Sequence, residues 1–250
     1  MSRSSLLSTA RRRTLRSTRV RAAGPDRQPV FRTRAPPSPG DPVTLTWFRP
    51  PQGDDPGTLN LCYHAVDVAV IRGAAAETAV RHVGGELEYA VLLEEVAALG
   101  GALRGLGVTE VSTVGVLLDD PLDTLLAELA VTRVGATVLD LDDDVAARLD
   151  AHQPHLVATS RAIESGSHVP PVVLVRGLPV ADESRDLDWD VAVRAGRTDP
   201  APCAPVPPGS TAYVADEAVA AVDLPGHDSG LGRALAALAD RTPVDLRDRA

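Results

Sequence analysis

Few side chains in this sequence have the type and spacing that chemistry needs. Cys62 and Cys203 stand far apart, with no Cys-x-x-Cys and no neighbouring histidine. They read as two reduced thiols rather than a metal site or a disulfide framework. His152 and His155 could offer two imidazoles to a zinc ion. Pro154 between them breaks any helical pairing, so the reading is a surface or core-edge role. Asp140, Asp142, Asp143 and Asp144 could gather a divalent cation. Their place in the pattern is a strand end and a helix N-terminus, where negative charge is favourable in its own right. In Gly226-His-Asp-Ser-Gly230 the serine, Ser229, misses the position of a nucleophile elbow by one residue. There is no Gly-x-Gly-x-x-Gly and no Walker motif. Lysine is absent: all 25 basic residues are arginine. No catalytic, cofactor-binding or metal-ligating residue is therefore assigned.

Any site must be positioned by the elements that the hydrophobic pattern predicts. Residues 77–90 read as a hairpin about Gly84-Gly85. A helix follows over about 89–105, with Leu92, Val96, Leu99, Leu103 and Leu106 on one stripe and Gly105 and Gly107 at its end. Residues 112–118 form an apolar run suited to a buried strand. Asp120 and Pro121 are placed to start the next helix, on which Leu122, Leu125, Leu126 and Leu129 share a face, and Gly135 closes it. Further strands are expected at 136–141, 155–160, 171–177 and 211–216, with helices at 142–151 and 229–240. No hairpin signal appears after residue 112. The alternation implies a three-layer α/β fold with a mainly parallel sheet containing 112–118, 136–140 and 155–159.

Composition narrows the class of function. Hydrophobic residues make up 44% of the chain and aromatic residues 3%, so the core must be built from Ala, Val and Leu. The bias toward Ala, Arg, Asp, Gly, Pro and Val is that of a high-GC bacterial genome. The net charge is −9, unevenly spread: residues 1–34 hold ten Arg and one acid, Asp26, leaving the remainder strongly acidic. Such a surface repels nucleic acid and anionic membrane, and neither is expected as a partner. No apolar stretch nears the ~20 residues that span a bilayer, and no secretory signal follows the N-terminal charges. The expected location is cytoplasmic. Residues 1–42, rich in Arg, Ser and Pro, read as a disordered arm. Residues 43–250 read as the folded domain.

From residue 47 onward an ordered series of motifs accumulates. Trp47, Phe48, Leu59, Asn60, Tyr63 and Asp67 come first. LEYAVLLEEVAALGGALRGLGV (87–108) follows, then AELAVTRVGATV (127–138) with Arg133, Gly135 and Ala136, and then DLDWDVAV (186–193). In this order they resemble the N-terminal part of the acetyl- and propionyl-CoA synthetases, of the adenylate-forming, AMP-binding superfamily. His64 stands where that family has Asn, and Val68-Ala69 where it has Arg-His. LDLDDDV (139–145) stands where it has a Phe-Gly-Gly-Phe-Ser loop. The resemblance covers roughly 45–215. It implies the first half of the family's large N-terminal domain.

The resemblance also implies ATP, Mg²⁺ and CoA, which this chain's residues do not support. Adenylation joins two anions, a carboxylate and the α-phosphate of ATP, so cationic groups and backbone N–H donors must offset their repulsion. The family supplies a Ser/Thr/Gly-rich loop ending in Pro-Lys-Gly. After TAYV (211–214) this chain reads ADEAVAAVDLPGHDSG, where only Pro225 and Gly226 echo that ending. Asp216, Glu217, Asp223 and Asp228 put negative charge where phosphate would lie. The sequence stops at Ala250, before the family's later nucleotide, acyl and CoA determinants. The expected function is a non-catalytic binding or regulatory relative of the synthetases, and the expected partner a second copy or a missing synthetase half. Two alternatives stay open: one half of a split synthetase, and an unrelated doubly wound domain that binds a small ligand.

Overall fold

The computed structural model describes residues 45–141, 144–163 and 166–247. The arm expected over 1–42, together with Asp142 and Asp143, lies outside them. A helical segment over 61–74 comes first, wound in wide π-type turns at Tyr63–Asp67 and Val70–Ala74. It buries residues on nearly every side, including Leu61, Cys62, His64, Ala65 and Val66. The sequence pattern did not predict this segment, because burial all round leaves no amphipathic period.

The remaining elements follow in order. Strands β1 (Thr78–His82) and β2 (Gly85–Glu88) form the expected hairpin. They lead into α1 (Tyr89–Gly105), β3 (Thr113–Leu117), α2 (Pro121–Arg133), β4 (Thr137–Asp140) and α3 (Val145–His152). Then come β5 (Leu156–Thr159), β6 (Val172–Val175), β7 (Asp186–Asp188) and α4 (Trp189–Gly196). Last are β8 (Thr211–Val214), β9 (Ala218–Ala220), α5 (Gly230–Ala239) and β10 (Val244–Asp245).

Local chemistry sets the helix ends. The Asp120 carboxylate accepts from the N–H groups of Leu122 and Asp123, at 2.7 and 3.1 Å, and Pro121 occupies the first turn of α2. Asp188 caps α4 through the N–H of Val191, and Ser229 caps α5 through that of Gly232. Past α1 and α2 the chain turns at Gly107 and Gly135, both at positive φ, where a side chain would be strained.

Seven strands form the main sheet in the order β7-β6-β5-β3-β4-β8-β9. All pairings are parallel except β8 with β9, which is antiparallel. That last pairing corrects the expectation that no hairpin follows residue 112. A second sheet, β10-β1-β2, joins the first two strands to the last. Alternate residues of the main sheet face two cores. Val114, Val116, Val138, Leu156, Ala158 and Leu174 join the larger one with buried residues of α1, α2, α4 and α5. Leu117, Leu139, Val157 and Val214 face the smaller one with Leu149 of α3. Helices on both faces make the three expected layers. Within α1 the pair Gly100-Gly101 does not break the helix. It allows close approach: a Cβ on Gly101 would sit 2.4 Å from the Asp199 carbonyl oxygen and 2.7 Å from that of Gly196.

Candidate functional site

The motif residues of the sequence converge in space on one buried junction. Asn60 is its centre. Its side-chain amide lies within hydrogen-bond distance of the carbonyl oxygens of Thr132, Arg133 and Ala204, at 3.0, 2.9 and 2.8 Å. Its own carbonyl accepts from the Tyr63 N–H at 2.9 Å. Arg133 ends α2 and is buried. It donates through Nε to the Ala201 carbonyl (2.7 Å) and through Nη1 to Asp67 Oδ2 (2.8 Å). Burial works against its charge, but the Asp67 carboxylate beside it favours the charged form, and the Arg133 pKa is raised. Both thiols, Cys62 and Cys203, lie against the same Asp67 oxygen. Two segments far apart in sequence are thus tied to the end of α2. The junction holds charge, but its donors and acceptors are spent on one another. Its polar contacts hold these segments to one another.

The stretch where a phosphate loop would be expected has a different geometry. After β8 the chain turns at 215–217 and returns as β9, with Val214 opposite Ala218 and Thr211 opposite Ala220. The N–H of Ala215 donates to the Glu217 carbonyl, and that of Ala221 to the Ser210 carbonyl. These backbone donors are engaged in a ladder, so they do not form an open nest for an anion. Asp216 and Glu217 stand exposed at the tip, with His227 at 3.6 Å from Glu217. Pro225 and Gly226 lie in a short 3₁₀ turn, Leu224–Gly226.

The carboxyl ends of the parallel strands are where α/β sheets usually bind ligands. Here side chains bridge them. Ser160, just past β5, donates to Asp119, just past β3, at 2.8 Å, and Arg161 pairs with the same carboxylate at 2.9 Å. Tyr213 of β8 donates to Asp140 at the end of β4, at 2.7 Å. Asp144 precedes α3 in a left-handed conformation and makes no capping bond. Its place at the helix N-terminus is as expected, but its side chain does not cap. His152 is exposed, whereas His155 lies 3.0 Å from the Leu106 carbonyl. The two imidazoles serve different surroundings, and among the described residues no group of three or more His, Cys, Asp or Glu is arranged to hold a metal ion. A groove of about 400 Å³ runs between α1 and α4, lined by Ala102, Arg104, Leu187, Ala192 and Asp199 among others. It shares no lining residue with the junction or with the β8–β9 hairpin.

Known proteins share this sequence and this fold in part. No family model matches the chain. It is 31% identical over 183 residues to the acetyl-coenzyme A synthetase of Streptomyces coelicolor, across 60% of this chain and 28% of that protein. It is 28% identical over 136 residues to the chloroplastic/glyoxysomal acetyl-coenzyme A synthetase of Arabidopsis thaliana, across 50% of this chain and 18% of that protein. An uncharacterized protein of Pseudomonas aeruginosa is 30% identical over 190 residues, across 63% of this chain and 30% of its own length. The chain is thus related in part to the acyl-CoA synthetases of the AMP-binding family. It spans less than a third of the length of these curated relatives. The crystal structure of Brucella canis acyl-CoA synthetase shares the fold, with a TM-score of 0.63 over 75% of this chain and 43% of that one, at 18% identity. The relation sets aside the reading of an unrelated doubly wound domain.

The synthetase-like residues Asn60, Asp67 and Arg133 are the ones that build the junction. His64, where the synthetase resemblance has Asn, is buried beside it. Its Nδ1 accepts from the Thr46 N–H at 3.0 Å, while its Nε2 has no hydrogen-bond partner among the described residues. Burial pushes the His64 pKa down; nearby Asp240 opposes this, and Arg72 adds to it. The unfolded chain therefore takes up a proton near the ordinary value of 6.5 that the folded chain resists. This contribution to stability is complete above that value and declines as the pH falls below it. In urea melts at about pH 7.5 and about pH 5.5, His64→Asn should lose less stability on acidification than the wild type. Equal losses in both would show that His64 does not titrate out of its buried state.

Proposed function

We propose that this chain is a non-catalytic acyl-CoA synthetase-like domain that acts by binding, with a second copy or a synthetase half as its partner. The observation that carries this reading is the β8–β9 hairpin, which occupies the stretch where the phosphate loop is expected. Making an acyl-adenylate means bringing a carboxylate onto the α-phosphate of ATP. The transition state needs donors aimed at the phosphate oxygens, and one lost donor costs about 3 kcal/mol, roughly a hundredfold in rate. Here the N–H groups flanking the turn are already bonded within the hairpin. The nearest charges are those of Asp216 and Glu217, and no lysine exists in the chain to offset them. These deficits compound. In this reading ATP, Mg²⁺ and CoA are not cofactors of the chain by itself.

The test is carboxylate-dependent exchange of pyrophosphate into ATP, run with acetate, propionate and longer short-chain acids. The expected result is no exchange above the acid-free control. Exchange by the isolated chain would overturn the reading. Exchange that appears only when a lysate fraction is added would transfer the assignment to one half of a split synthetase.

A further inference from the structure

The buried junction brings together two thiols that the sequence keeps far apart. The segment before the first helix and the Pro-rich loop after α4 run antiparallel here. Leu59 and Val206 exchange both backbone hydrogen bonds, at 2.9 and 2.8 Å. One step inward, the Asn60 amide donates to the Ala204 carbonyl at 2.8 Å. Three residues on from Leu59 and three back from Val206 stand Cys62 and Cys203. Both sulfurs contact Asp67 Oδ2, at 3.9 and 3.6 Å, so one carboxylate oxygen lies against both thiols. Cys62 is fully buried, whereas Cys203 is partly exposed. Of the two, Cys203 is therefore the one that a reagent from solvent meets first. The Arg133 guanidinium lies 3.5 Å from the Cys62 sulfur.

We propose that Cys62 and Cys203 form an oxidisable dithiol site, which a low-molecular-weight disulfide converts into an intramolecular disulfide across the junction. The Cys203 thiolate attacks one sulfur of the reagent and expels the other as a thiolate, leaving a mixed disulfide. The Cys62 thiolate then attacks the Cys203 sulfur and expels the second reagent thiol. The two protons given up by the cysteines go to the two expelled thiolates through solvent. Overall the protein loses two electrons and the reagent gains them, so one disulfide is formed and one is reduced. The product links the helical segment over 61–74 to the Pro-rich loop beside α2. The Arg133–Asp67 ion pair needs no sulfur and survives the change. The neighbouring Cys62 side chain, together with burial, pushes the Cys203 thiol up, so the first attack is slow at neutral pH.

The folded full-length chain is incubated with glutathione disulfide, quenched with acid, and read by intact mass and by peptide mapping without reductant. The expected product is a monomer lighter by two hydrogens, with Cys62 and Cys203 peptides joined and no thiol left for alkylation. Its thermal midpoint should exceed that of the reduced protein, and reductant should reverse both changes. Cys62→Ala should stop at a glutathione adduct on Cys203, which identifies the order of attack. A wild-type protein that keeps the glutathione adduct, links two chains, or reacts only after denaturant is added would overturn the proposal.

Discussion

Arg133→Met should destabilise the fold by about 3–5 kcal/mol, the cost of removing one partner from a buried ion pair. The side chains of Arg133 and Asp67 are 8% and 16% exposed, so water does little to screen the loss. The substitution keeps most of the bulk of the side chain but strips Asp67 of its cationic partner, the one within 4 Å among the described residues. It also leaves the Ala201 carbonyl without the Nε donor that now meets it at 2.7 Å. Urea unfolding at neutral pH reads the difference directly. The double variant Arg133→Met with Asp67→Asn should recover part of it, since an amide is cheaper to bury than an unpaired carboxylate. A single variant within about 1 kcal/mol of wild type would mean that the junction is more hydrated than its geometry indicates.

Gly196→Ala is expected to have the second largest effect, at least about 1–3 kcal/mol from overpacking. A Cβ there would lie 2.0 Å from the Ala98 carbonyl oxygen and 2.5 Å from the Ala102 nitrogen. Both are backbone atoms of α1, so no rotamer change relieves the clash. The helices α1 and α4 must separate, and the apolar contacts along their seam weaken with them. Gly105→Ala is the control, because a Cβ at that position meets nothing within 4 Å. That variant should be neutral or more stable by up to about 1 kcal/mol, the usual gain of alanine over glycine in a helix. Thermal melts of the pair separate packing from propensity. Similar midpoints for the two variants would contradict the close seam.

The features legible in the sequence were those written in local chemistry. The stripe Leu92–Val96–Leu99–Leu103 predicted α1, and all four side chains are buried. Asp120-Pro121 predicted the start of α2 because a cap and a first-turn proline act within three residues. Long-range features were not legible. Gly100-Gly101 reads as a weak point in a helix until Gly196 and Asp199 are packed against it. Nothing in the spacing of Cys62 and Cys203 says that they meet. Their contact follows from an antiparallel pairing between two irregular segments. The β8–β9 hairpin was missed for a similar reason: its turn, Ala215-Asp216-Glu217, contains none of the Gly, Asn or Pro residues that usually mark one. Asn60 and Arg133 were singled out by resemblance alone. Apart from the Asp67 and Cys62 side chains and the Tyr63 N–H, their partners are main-chain carbonyls of the 130s and 200s, which no side-chain pattern encodes.

The central claim is that the synthetase-like scaffold is kept while the phosphate-loop stretch is closed into a hairpin. Amide hydrogen exchange over residues 211–221, measured with and without Mg·ATP, tests it most directly. The ladder places the amides of Tyr213, Val219 and Ala221 in or beside the β8–β9 pairing. These amides should exchange slowly in the free protein, and Mg·ATP should leave their rates unchanged. Fast exchange in the free protein, followed by protection of 214–221 on adding Mg·ATP, would show an open loop that closes on nucleotide and would contradict the account.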